Sequence, residues 1–285
     1  MEEYFNNQIN MEKYEDLKNN VRIIANDIKI GKNVQFGKNI DVNIKGNFEI
    51  GDFSRLGDDT HIRGNNIKFG KHLFNSSGLK IGGGGRQHPN ANFEIGDRCT
   101  IHNNFINVCE PVKIGNDVGL SPETAILTHG YWLSVLDGFP ATFAGVNIGD
   151  GVIVGYRSLI MMGVSIADYS VIGANSTVTK SITEKGVYAG SPARFIKKIN
   201  PLSEEEKIKK IRKIIEEYYL PIAKYHGLKP TIKIDYPFIE LNNFRFDVET
   251  FEYWGTEDEE TDDLRDYIRK WGIRIYTERP FTSKF

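Results

Sequence analysis

The 285-residue chain contains only two cysteines, Cys99 and Cys109. Two cysteines cannot form a disulfide framework, and no spacing of His and Cys resembles a zinc site, so we expect a reducing compartment and no metal. No apolar run approaches the ~18–20 residues that a membrane-spanning helix needs. The amino-terminal residues lack the basic and apolar stretches of a signal peptide. Together these absences predict a cytoplasmic protein without a transmembrane segment.

An excess of charge of either sign is also missing, because 36 Lys and Arg balance 38 Asp and Glu. A chain with so small a net charge has no strong field for nucleic acid or an anionic membrane. The apolar fraction of 40%, with 12% aromatic residues, is enough for a packed core. At this length we expect one large domain or two modest ones.

Glycine, in contrast, is abundant, with 28 residues, and it follows a pattern. An aliphatic residue returns at every sixth position late in the chain, at Ile148, Val154, Ile160, Ile166, Ile172 and Val178. A period of six fits neither an amphipathic helix nor simple strand alternation, and it is typical of parallel β-helices. Three hexads make one triangular coil of about 18 residues, and successive coils stack about 4.8 Å apart.

The same pattern appears upstream, less regularly. It runs through Ile24, Ile30, Phe36 and Val42, and later through Ile50, Leu56, Phe69, Ile95, Ile101, Ile114, Leu120 and Ile126. The frame slips between these blocks, so we expect insertions near residues 43–49, 63–68, 82–94 and 127–147. Cys99 occupies the fifth place of a hexad, where a small side chain packs inside near a corner. The pattern predicts about seven or eight coils within a β-helix domain of residues 22–200.

The flanking segments have a different character. Residues 1–21 are polar and predict an arm or a short helix. Ser203 and Glu206 match a capping box, and helical spacing then continues to Leu220-Pro221. We expect that helix to close the open end of the prism. Residues 201–285 otherwise predict a small α+β domain, with strands over 231–246, a short helix over Leu264–Trp271 and a last strand at Ile273–Tyr276.

Three segments near the end of the repeat carry a family resemblance. They are residues 145–155 (GVNIGDGVIVG), 172–180 (IGANSTVTK) and 190–194 (GSPAR). They resemble the bacterial hexapeptide-repeat acyltransferases, in particular the sugar O-acetyltransferases, whose fold is the left-handed parallel β-helix. One departure is Ile153, which stands where many members have Trp, so an aromatic contact near the acceptor is missing.

The resemblance implies acetyl transfer from acetyl-coenzyme A to a carbohydrate hydroxyl, without a metal. It also implies a homotrimer whose active sites lie in clefts between neighbouring prisms. Thr179, Lys180 and Arg194 match positions that contact coenzyme A in the family, and basic side chains there suit its phosphates. Gly155, Gly173 and Ala174 would keep the groove shallow enough for the pantetheine arm, although glycine also suits a tight corner.

Transfer to an alcohol needs a base, and His129 is our candidate. A histidine is neutral yet basic near pH 7, and the family places its catalytic histidine where the repeat breaks, as it does after Ile126. An orienting carboxylate would complete the site, with Glu123 and Asp137 nearest in the sequence. The aromatic residues Tyr131 and Trp132 are candidates for binding the sugar. His61 and His102 are weaker rivals that lie within hexads.

The acceptor class remains open at this level. A surface polysaccharide, or a sialic acid residue of it, is favoured by analogy with the family. One alternative is N-acetylation of a nucleotide-linked amino sugar, and another is a non-catalytic β-helix scaffold. A carbonic-anhydrase-like role would need three zinc-binding histidines, and the spacing of His61, His102 and His129 does not match that pattern.

Overall fold

The computed structural model describes residues 11–83 and 88–281. Their contacts divide the chain into two units, Met1–Ile199 and Asn200–Phe285. In the described part of the chain, no helix is both long and apolar enough to cross a bilayer.

The first unit is a three-sided parallel β-helix, because each coil contributes one short strand to each of three sheets. We number the faces in the order in which the chain visits them. Face 1 contains Val21–Ala25, Ile40–Ile44, His61–Gly64, Lys80–Gly82, Phe105–Asn107, Ala125–Ile126, Leu159–Ile160 and Thr177–Val178. Face 2 contains Asp27–Ile30, Asn47–Ile50, Ile67–Phe69, Phe93–Ile95, Val112–Ile114, Val146–Ile148 and Ser165–Ile166. Face 3 contains Gln35–Phe36, Arg55–Leu56, Phe74–Asn75, Thr100–Ile101, Gly119–Leu120, Ile153–Val154, Val171–Ile172 and Val187–Ala189.

Two antiparallel strands lie at opposite ends of the prism. Glu12–Asp16 pairs with Val21–Ala25 at the edge of face 1, and Arg194–Lys197 pairs with Val187–Ala189 at the edge of face 3. We predicted an arm or a short helix for residues 1–21, and the described part of this segment contains the extended strand Glu12–Asp16. Residues 1–10 lie outside the described part of the chain.

The hexads place their aliphatic residues inside the prism, and all six of the late repeat, from Ile148 to Val178, are buried. The small residue at the fifth place also forms hydrogen bonds between coils. Ser158 Oγ donates to the carbonyl of Gly173 at 2.9 Å and accepts from the amide of Ser176 at 3.3 Å. Cys99 does the same with Gly115 and Val118. These side chains are therefore selected for hydrogen bonding as well as for size.

The glycine-aspartate pair that follows three of the face 2 strands, at residues 51–52, 96–97 and 149–150, has a similar cause. Asp168 Oδ1 accepts from the amide of Asp150 at 2.9 Å, so its carboxylate joins two consecutive coils. A Cβ on Gly149 would lie 2.1 Å from that same oxygen. A side chain at position 149 is thus incompatible with the contact that the aspartate makes.

The early coils differ from the expectation in two ways. Val42 lies beside Ile62, and Ile62 beside Ile81, so these coils have 20 and 19 residues and residues 43–49 and 63–68 belong to continuous strands and corners instead of insertions. In the first coil the hexad frame predicted from the sequence is wrong by one residue. Ile23 is buried, whereas Ile24 is only half-buried and Ile30 is exposed. Longer strands, not loops, cause the irregular spacing.

Two real insertions interrupt the later coils. Ile81 lies beside Ile106 and Ile126 beside Ile160, which gives coils of 25 and 34 residues. The first insertion includes residues 84–87, which lie outside the described chain. The second spans residues 127–145 and leaves the corner between faces 1 and 2.

The second unit packs helices against an antiparallel sheet of four strands, Ile232–Asp235, Phe238–Leu241, Phe244–Asp247 and Tyr253–Gly255. The helix Glu204–Arg212 begins with the predicted capping box of Ser203 and Glu206. It does not end at Pro221: a π-helical segment, Lys213–Tyr219, leads directly into the helix Leu220–Tyr225. The wider π turn accommodates a proline, which lacks the amide hydrogen of a regular helical turn.

The end of this unit also departs from the sequence-based prediction. The last long helix covers Glu259–Ile268 and precedes a short 3₁₀ turn at Arg269–Trp271. Ile273–Tyr276 is not a strand, and the carbonyl of Ile275 instead accepts from Nε of the buried Arg265 at 3.1 Å. The core of the unit contains Ile211, Ile214, Ile215, Tyr219, Ala223, Ile239, Leu241, Phe244, Phe246, Leu264, Tyr267, Ile268 and Ile275.

Candidate active site

The corner between faces 1 and 2, which we call the His129 corner, carries the long insertion. The chain leaves the coil after Ala125–Ile126 and forms a hairpin in which His129–Gly130 pairs with Thr142–Phe143. The amide of Ala144 donates to the carbonyl of Thr128 at 2.9 Å, so the base of the hairpin is attached to the prism. A 3₁₀ turn, Val135–Asp137, shapes its tip. His129 is therefore held at the rigid root of the insertion.

The imidazole of His129 has a defined partner, Asn107 on the preceding coil. His129 Nδ1 lies 2.8 Å from Asn107 Oδ1. The amide group of Asn107 is oriented by its nitrogen, which donates to the carbonyls of Gly82 at 3.2 Å and of Gly83. Oδ1 can then only accept, so Nδ1 of His129 carries the hydrogen and Nε2 keeps a free lone pair. This is the tautomer that a general base needs.

Asn107 belongs to a buried polar network that limits its movement. Its side chain is 1% exposed. Thr128 Oγ1 donates to Asn107 Oδ1 at 2.5 Å and accepts from the amide of Glu110 at 3.1 Å. Because each polar group in this network is satisfied, the network fixes one arrangement of side chains. Sequence reasoning assigned no role to Asn107, and its only signal was an amide at the end of an apolar strand.

Neither carboxylate that we considered as the orienting group contacts His129. Glu123 accepts from the hydroxyl of Tyr156 at 2.8 Å and forms an ion pair with Arg157 at 2.7 Å. Asp137 lies in the 3₁₀ turn at the tip of the hairpin. The acceptor at the imidazole is thus a neutral amide oxygen, which gives the site less negative charge than a carboxylate would.

Aromatic rings flank the imidazole on the insertion. The His129 ring stacks on Phe143 with centroids 6.0 Å apart, and Tyr131 lies 5.4 Å from His129 and 5.3 Å from Phe143. Tyr131 is thus beside the imidazole, as a substrate-binding residue would be. Trp132 is 91% exposed, so the structure does not pack it against His129.

The other candidate histidines have different surroundings. His102 Nδ1 bonds to Ser76 Oγ at 2.9 Å, and burial lowers the pKa of His102. His61 Nδ1 lies 3.5 Å from Asp41 on face 1, where burial first and the charge of Arg63 next lower the pKa of His61. Neither ring has a side-chain amide oxygen at Nδ1, as His129 has.

Five of the six candidate cofactor residues fall into two groups on the prism. Thr179 and Lys180 follow Thr177–Val178 at the His129 corner, two coils above His129. Gly155, Gly173 and Ala174 lie at the corner between faces 3 and 1, which we call the Gly155 corner. Since about six residues at ~3.3 Å each form one side, the two corners are up to ~20 Å apart within one prism.

The remaining candidate, Arg194, is exposed and begins the antiparallel strand at the edge of face 3. The adjacent amide of Ala193 donates to the carbonyl of Thr177 at 2.8 Å, which seats this segment over the last strand of face 1.

The glycines of the Gly155 corner have a clear packing role. A Cβ on Gly155 would lie 2.5 Å from the backbone nitrogen of Ala174, and one on Gly173 would lie 2.9 Å from the Cβ of Ala189. Both positions therefore face the next coil. Their absence of side chains permits coil stacking, and only the exposed Ala174 is directly on the outer surface.

The two cysteines and potential metal ligands add nothing to this site. Burial raises the pKa of the Cys99 thiol to about 12, which disfavours the nucleophilic thiolate. Within residues 11–83 and 88–281, no three His, Cys, Asp or Glu side chains form a group that could hold a metal ion.

Comparison with known proteins agrees with this architecture. Residues 145–180 match the model of the hexapeptide repeat of succinyl-transferase. The galactoside O-acetyltransferase of Escherichia coli K12 is 34% identical over 124 residues, which are 41% of this chain and 56% of that protein. The chain is thus similar to the hexapeptide-repeat acyltransferases, as its sequence motifs indicate.

Two further proteins are similar to this chain. The putative lipopolysaccharide biosynthesis O-acetyl transferase WbbJ of Escherichia coli K12 is 29% identical over 148 residues, 47% of this chain and 72% of that protein. A maltose O-acetyltransferase from Clostridium difficile 630 superimposes with a TM-score of 0.35 at 26% identity, covering 61% of this chain and 70% of that one. The chain spans about half the length of the first curated relatives that it matches, 44% and 56%.

Proposed function

We propose that the protein transfers an acetyl group from acetyl-coenzyme A to a carbohydrate hydroxyl, with His129 as the general base. The observation that carries this proposal is the hydrogen bond from His129 Nδ1 to the fixed amide oxygen of Asn107, which leaves Nε2 free to accept a proton. Members of the family that the chain resembles are O-acetyltransferases by name, including the galactoside enzyme.

The reaction proceeds by direct attack. Nε2 of His129 removes the proton of the acceptor hydroxyl while the oxygen bonds to the thioester carbon, which becomes a tetrahedral oxyanion. Backbone amides hold the negative charge. The oxyanion then collapses, the carbon–sulfur bond breaks, and the departing thiolate takes the proton from the imidazolium. The products are the acetyl ester and free coenzyme A, and the imidazole returns to its starting state.

The cofactor lies between two copies of the chain in this proposal. Thr179 and Lys180 bind coenzyme A from the His129 corner of one copy. Arg194, whose strand partner Ala189 lies over Gly173, binds it from the Gly155 corner of the other copy, so that both cations meet its phosphates. Ala174, with Gly155 and Gly173 behind it, lines the opposite wall. Because the two corners are a full prism side apart, the residues approach each other only when the His129 corner of one copy faces the Gly155 corner of the next. This supports the homotrimer that the family resemblance implies.

The charge on the outer surface of the prism supports the same assembly. Face 2 presents alternating Lys68, Glu94 and Lys113, with Glu94 within ion-pair distance of both lysines at 3.4 and 3.9 Å. Such a ladder suits contact with water. In the last coils, face 1 presents Leu159 and Thr177, and face 3 presents Ile153 and Val171, which carry no charge. In these last coils the outward residues of face 2, Asn147 and Ser165, are polar, whereas faces 1 and 3 present the apolar Leu159, Ile153 and Val171, so we expect faces 1 and 3 to contact neighbouring copies there.

Release of free thiol from acetyl-coenzyme A, measured with a panel of neutral and acidic sugars, tests the chemistry. We expect His129→Ala to lower kcat by roughly 10²- to 10⁴-fold. His72→Ala is the matched control, since His72 stacks on Phe53 at a different corner with centroids 5.1 Å apart, and it should retain activity. Equal turnover of wild type and His129→Ala would refute the assignment of the base.

Mixed trimers test the shared site. His129→Ala and Ala174→Trp alter opposite corners, so co-folding the two inactive variants should restore part of the thiol release. His129→Ala co-folded with Lys180→Glu is the control, because both changes affect the same corner and no intact site can form. Activity that stays absent in the first mixture would show that one copy supplies the whole site.

A further inference from the structure

The second unit contains a cavity of about 360 Å³ that the proposed function does not use. One wall is the helix Glu204–Arg212 with the turn that follows it, and Lys207, Lys210, Ile211 and Ile214 line the cavity from this side. Their spacing of three and four residues places them on one helical face. The volume lies at the lower end of the ~300–1,000 Å³ that is typical of small-molecule sites, so the cavity suits a small ligand.

Aliphatic side chains make up most of the lining. Val248 and Ile273 are half-buried, and Leu202 is 47% exposed. Ile211 and Ile214 are buried in the core of the unit and also line the cavity. An apolar group of a ligand would remove the exposed part of this surface from water, which favours binding.

Two of the three charged groups at the cavity neutralise each other. Lys207 Nζ donates to Glu249 Oε1, and the same oxygen accepts from the hydroxyl of Tyr236. The amide of Glu249 donates to Asp247 Oδ1 at 2.7 Å, which fixes the turn that carries the carboxylate. The hydrogen bond with Glu249 raises the pKa of Lys207, and the one with Lys207 lowers the pKa of Glu249, so both groups stay ionised near pH 7. The pair therefore contributes no net charge to the cavity.

The third charged group, Lys210, keeps its positive charge uncompensated. Lys210 is exposed, and within the described ranges 11–83 and 88–281 no carboxylate lies within ion-pair distance of its ammonium group. Glu206, four residues earlier, is where a helical lysine commonly finds its partner. The Glu206 carboxylate instead accepts from the amide of Ser203 at 2.8 Å in the capping box. The cavity thus combines an apolar lining with one available cation at its edge.

We infer that this cavity is a binding site for an aliphatic monocarboxylate, such as a medium-chain fatty acid. The aliphatic chain lies between the helix and Val248, and its carboxylate binds Lys210 through a charge-assisted hydrogen bond. One uncompensated charge matches a monoanion, whereas a phosphate monoester brings about two negative charges at pH 7. The site requires neither His129 nor acetyl transfer.

Calorimetric titration of the full chain with octanoate, 1-octanol and octyl phosphate, below micelle formation, tests the inference. We expect octanoate to bind most tightly. Lys210→Met should weaken octanoate binding about three- to tenfold and leave octanol unaffected, since an exposed ion pair contributes less than a buried one. Lys210→Arg should retain the affinity for octanoate. Lys209→Met is the matched control, because Lys209 is the adjacent exposed lysine of the same helix and does not line the cavity.

Two further variants test the location of the site. Val248→Trp places a large ring in the cavity, so the folded variant, checked by circular dichroism and its thermal midpoint, should lose both octanoate and octanol. Lys210→Glu changes an exposed position and puts a negative charge at the edge of the cavity. It should abolish octanoate binding and leave octanol bound, which keeps the test decisive if Val248→Trp does not fold.

The inference is overturned if octanoate does not bind, if octanol binds as tightly as octanoate, or if Lys210→Glu leaves octanoate binding intact. Tighter binding of octyl phosphate than of octanoate would contradict the monocarboxylate. His129→Ala should bind octanoate with wild-type affinity, and a loss of binding in that variant would contradict a site separate from the proposed active site. A preference for octanoate that depends on Lys210 and not on Lys209 supports the inference.

Discussion

Replacing Asn107 tests the arrangement on which the proposed mechanism depends. Asn107→Ala removes the acceptor at Nδ1 of His129, and the imidazole can then rotate or carry its hydrogen on the other nitrogen. We expect kcat for thiol release to fall and KM for acetyl-coenzyme A to stay nearly unchanged. The reason is that Asn107 acts through His129, and His129 lies two coils away from Thr179 and Lys180.

The size of the effect follows from the change in this hydrogen bond during the reaction. A neutral hydrogen bond contributes about 0.5–1.5 kcal/mol, whereas one to a charged group contributes about 1.5–3 kcal/mol. The Asn107–His129 bond changes from the first kind to the second as the imidazole takes up the proton. Its loss therefore slows kcat roughly tenfold, and the loss of orientation extends the range to about 100-fold.

A second variant, Asn107→Asp, distinguishes orientation from charge. The aspartate keeps an acceptor at Nδ1 and adds a negative charge, which stabilises the protonated imidazole. A general base must be neutral to act, so the acidic limb of the pH–rate profile should move to higher pH. If Asn107 had only a structural role, Asn107→Asp would leave the acidic limb of the pH–rate profile where it is in the wild type.

The assay needs a control for folding, because Asn107 is buried. Asn75 is equally buried and makes similar bonds on face 3, accepting from the amide of Gly57 at 2.9 Å and donating to the carbonyl of His102 at 3.0 Å. Asn75→Ala should lower the thermal midpoint as Asn107→Ala does, but it should leave kcat unchanged. Equal kcat in wild type and Asn107→Ala, with the same pH profile, would refute the role of Asn107.

Two further predictions concern the prism itself. Gly155→Ala should lower the free energy of unfolding by about 1–3 kcal/mol in urea denaturation, because the added Cβ would lie 2.5 Å from the backbone of Ala174. Gly119→Ala is the control and should be tolerated, since no atom lies within 4 Å of the added Cβ. An equal loss of unfolding free energy in the two variants would contradict this reasoning. Burial raises the pKa of the Cys99 thiol to about 12, so Cys99 should resist alkylation by iodoacetamide at pH 8 until urea unfolds the chain. Mass spectrometry measures the labelling, and labelling of Cys99 in the folded protein would contradict its burial.

The hexads made the β-helix predictable because each one specifies its own strand and corner. Ile148 to Val178 keep a strict step of six, and the structure buries all of them. In the early coils the sides are longer by one or two residues, so the sequence pattern slips even though the chain does not loop out. That is why residues 43–49 and 63–68 were wrongly predicted as insertions and why Ile24 was assigned inward in place of Ile23.

The candidate site was harder to predict, since its key contact joins two coils. His129 is recognisable where the repeat breaks, but its partner Asn107 lies 22 residues earlier, and only the register of Phe105–Asn107 with Ala125–Ile126 brings them together. The coil between Ile106 and Ile126 has 20 residues instead of about 18, so counting hexads alone does not give this register. The expectation of a carboxylate from nearby sequence failed for the same reason, because Glu123 faces Arg157 at another corner.

The antiparallel strands at the two ends of the prism have a consequence for solubility. A stack of parallel coils ends in rows of free amide and carbonyl groups, onto which another molecule can add its own coils. Glu12–Asp16 covers the row on face 1, and four of its five residues are charged; Arg194–Lys197 covers the row on face 3. Both segments reverse the direction of the chain, so a second prism cannot continue the parallel register on those two edges, which disfavours end-to-end growth into fibres.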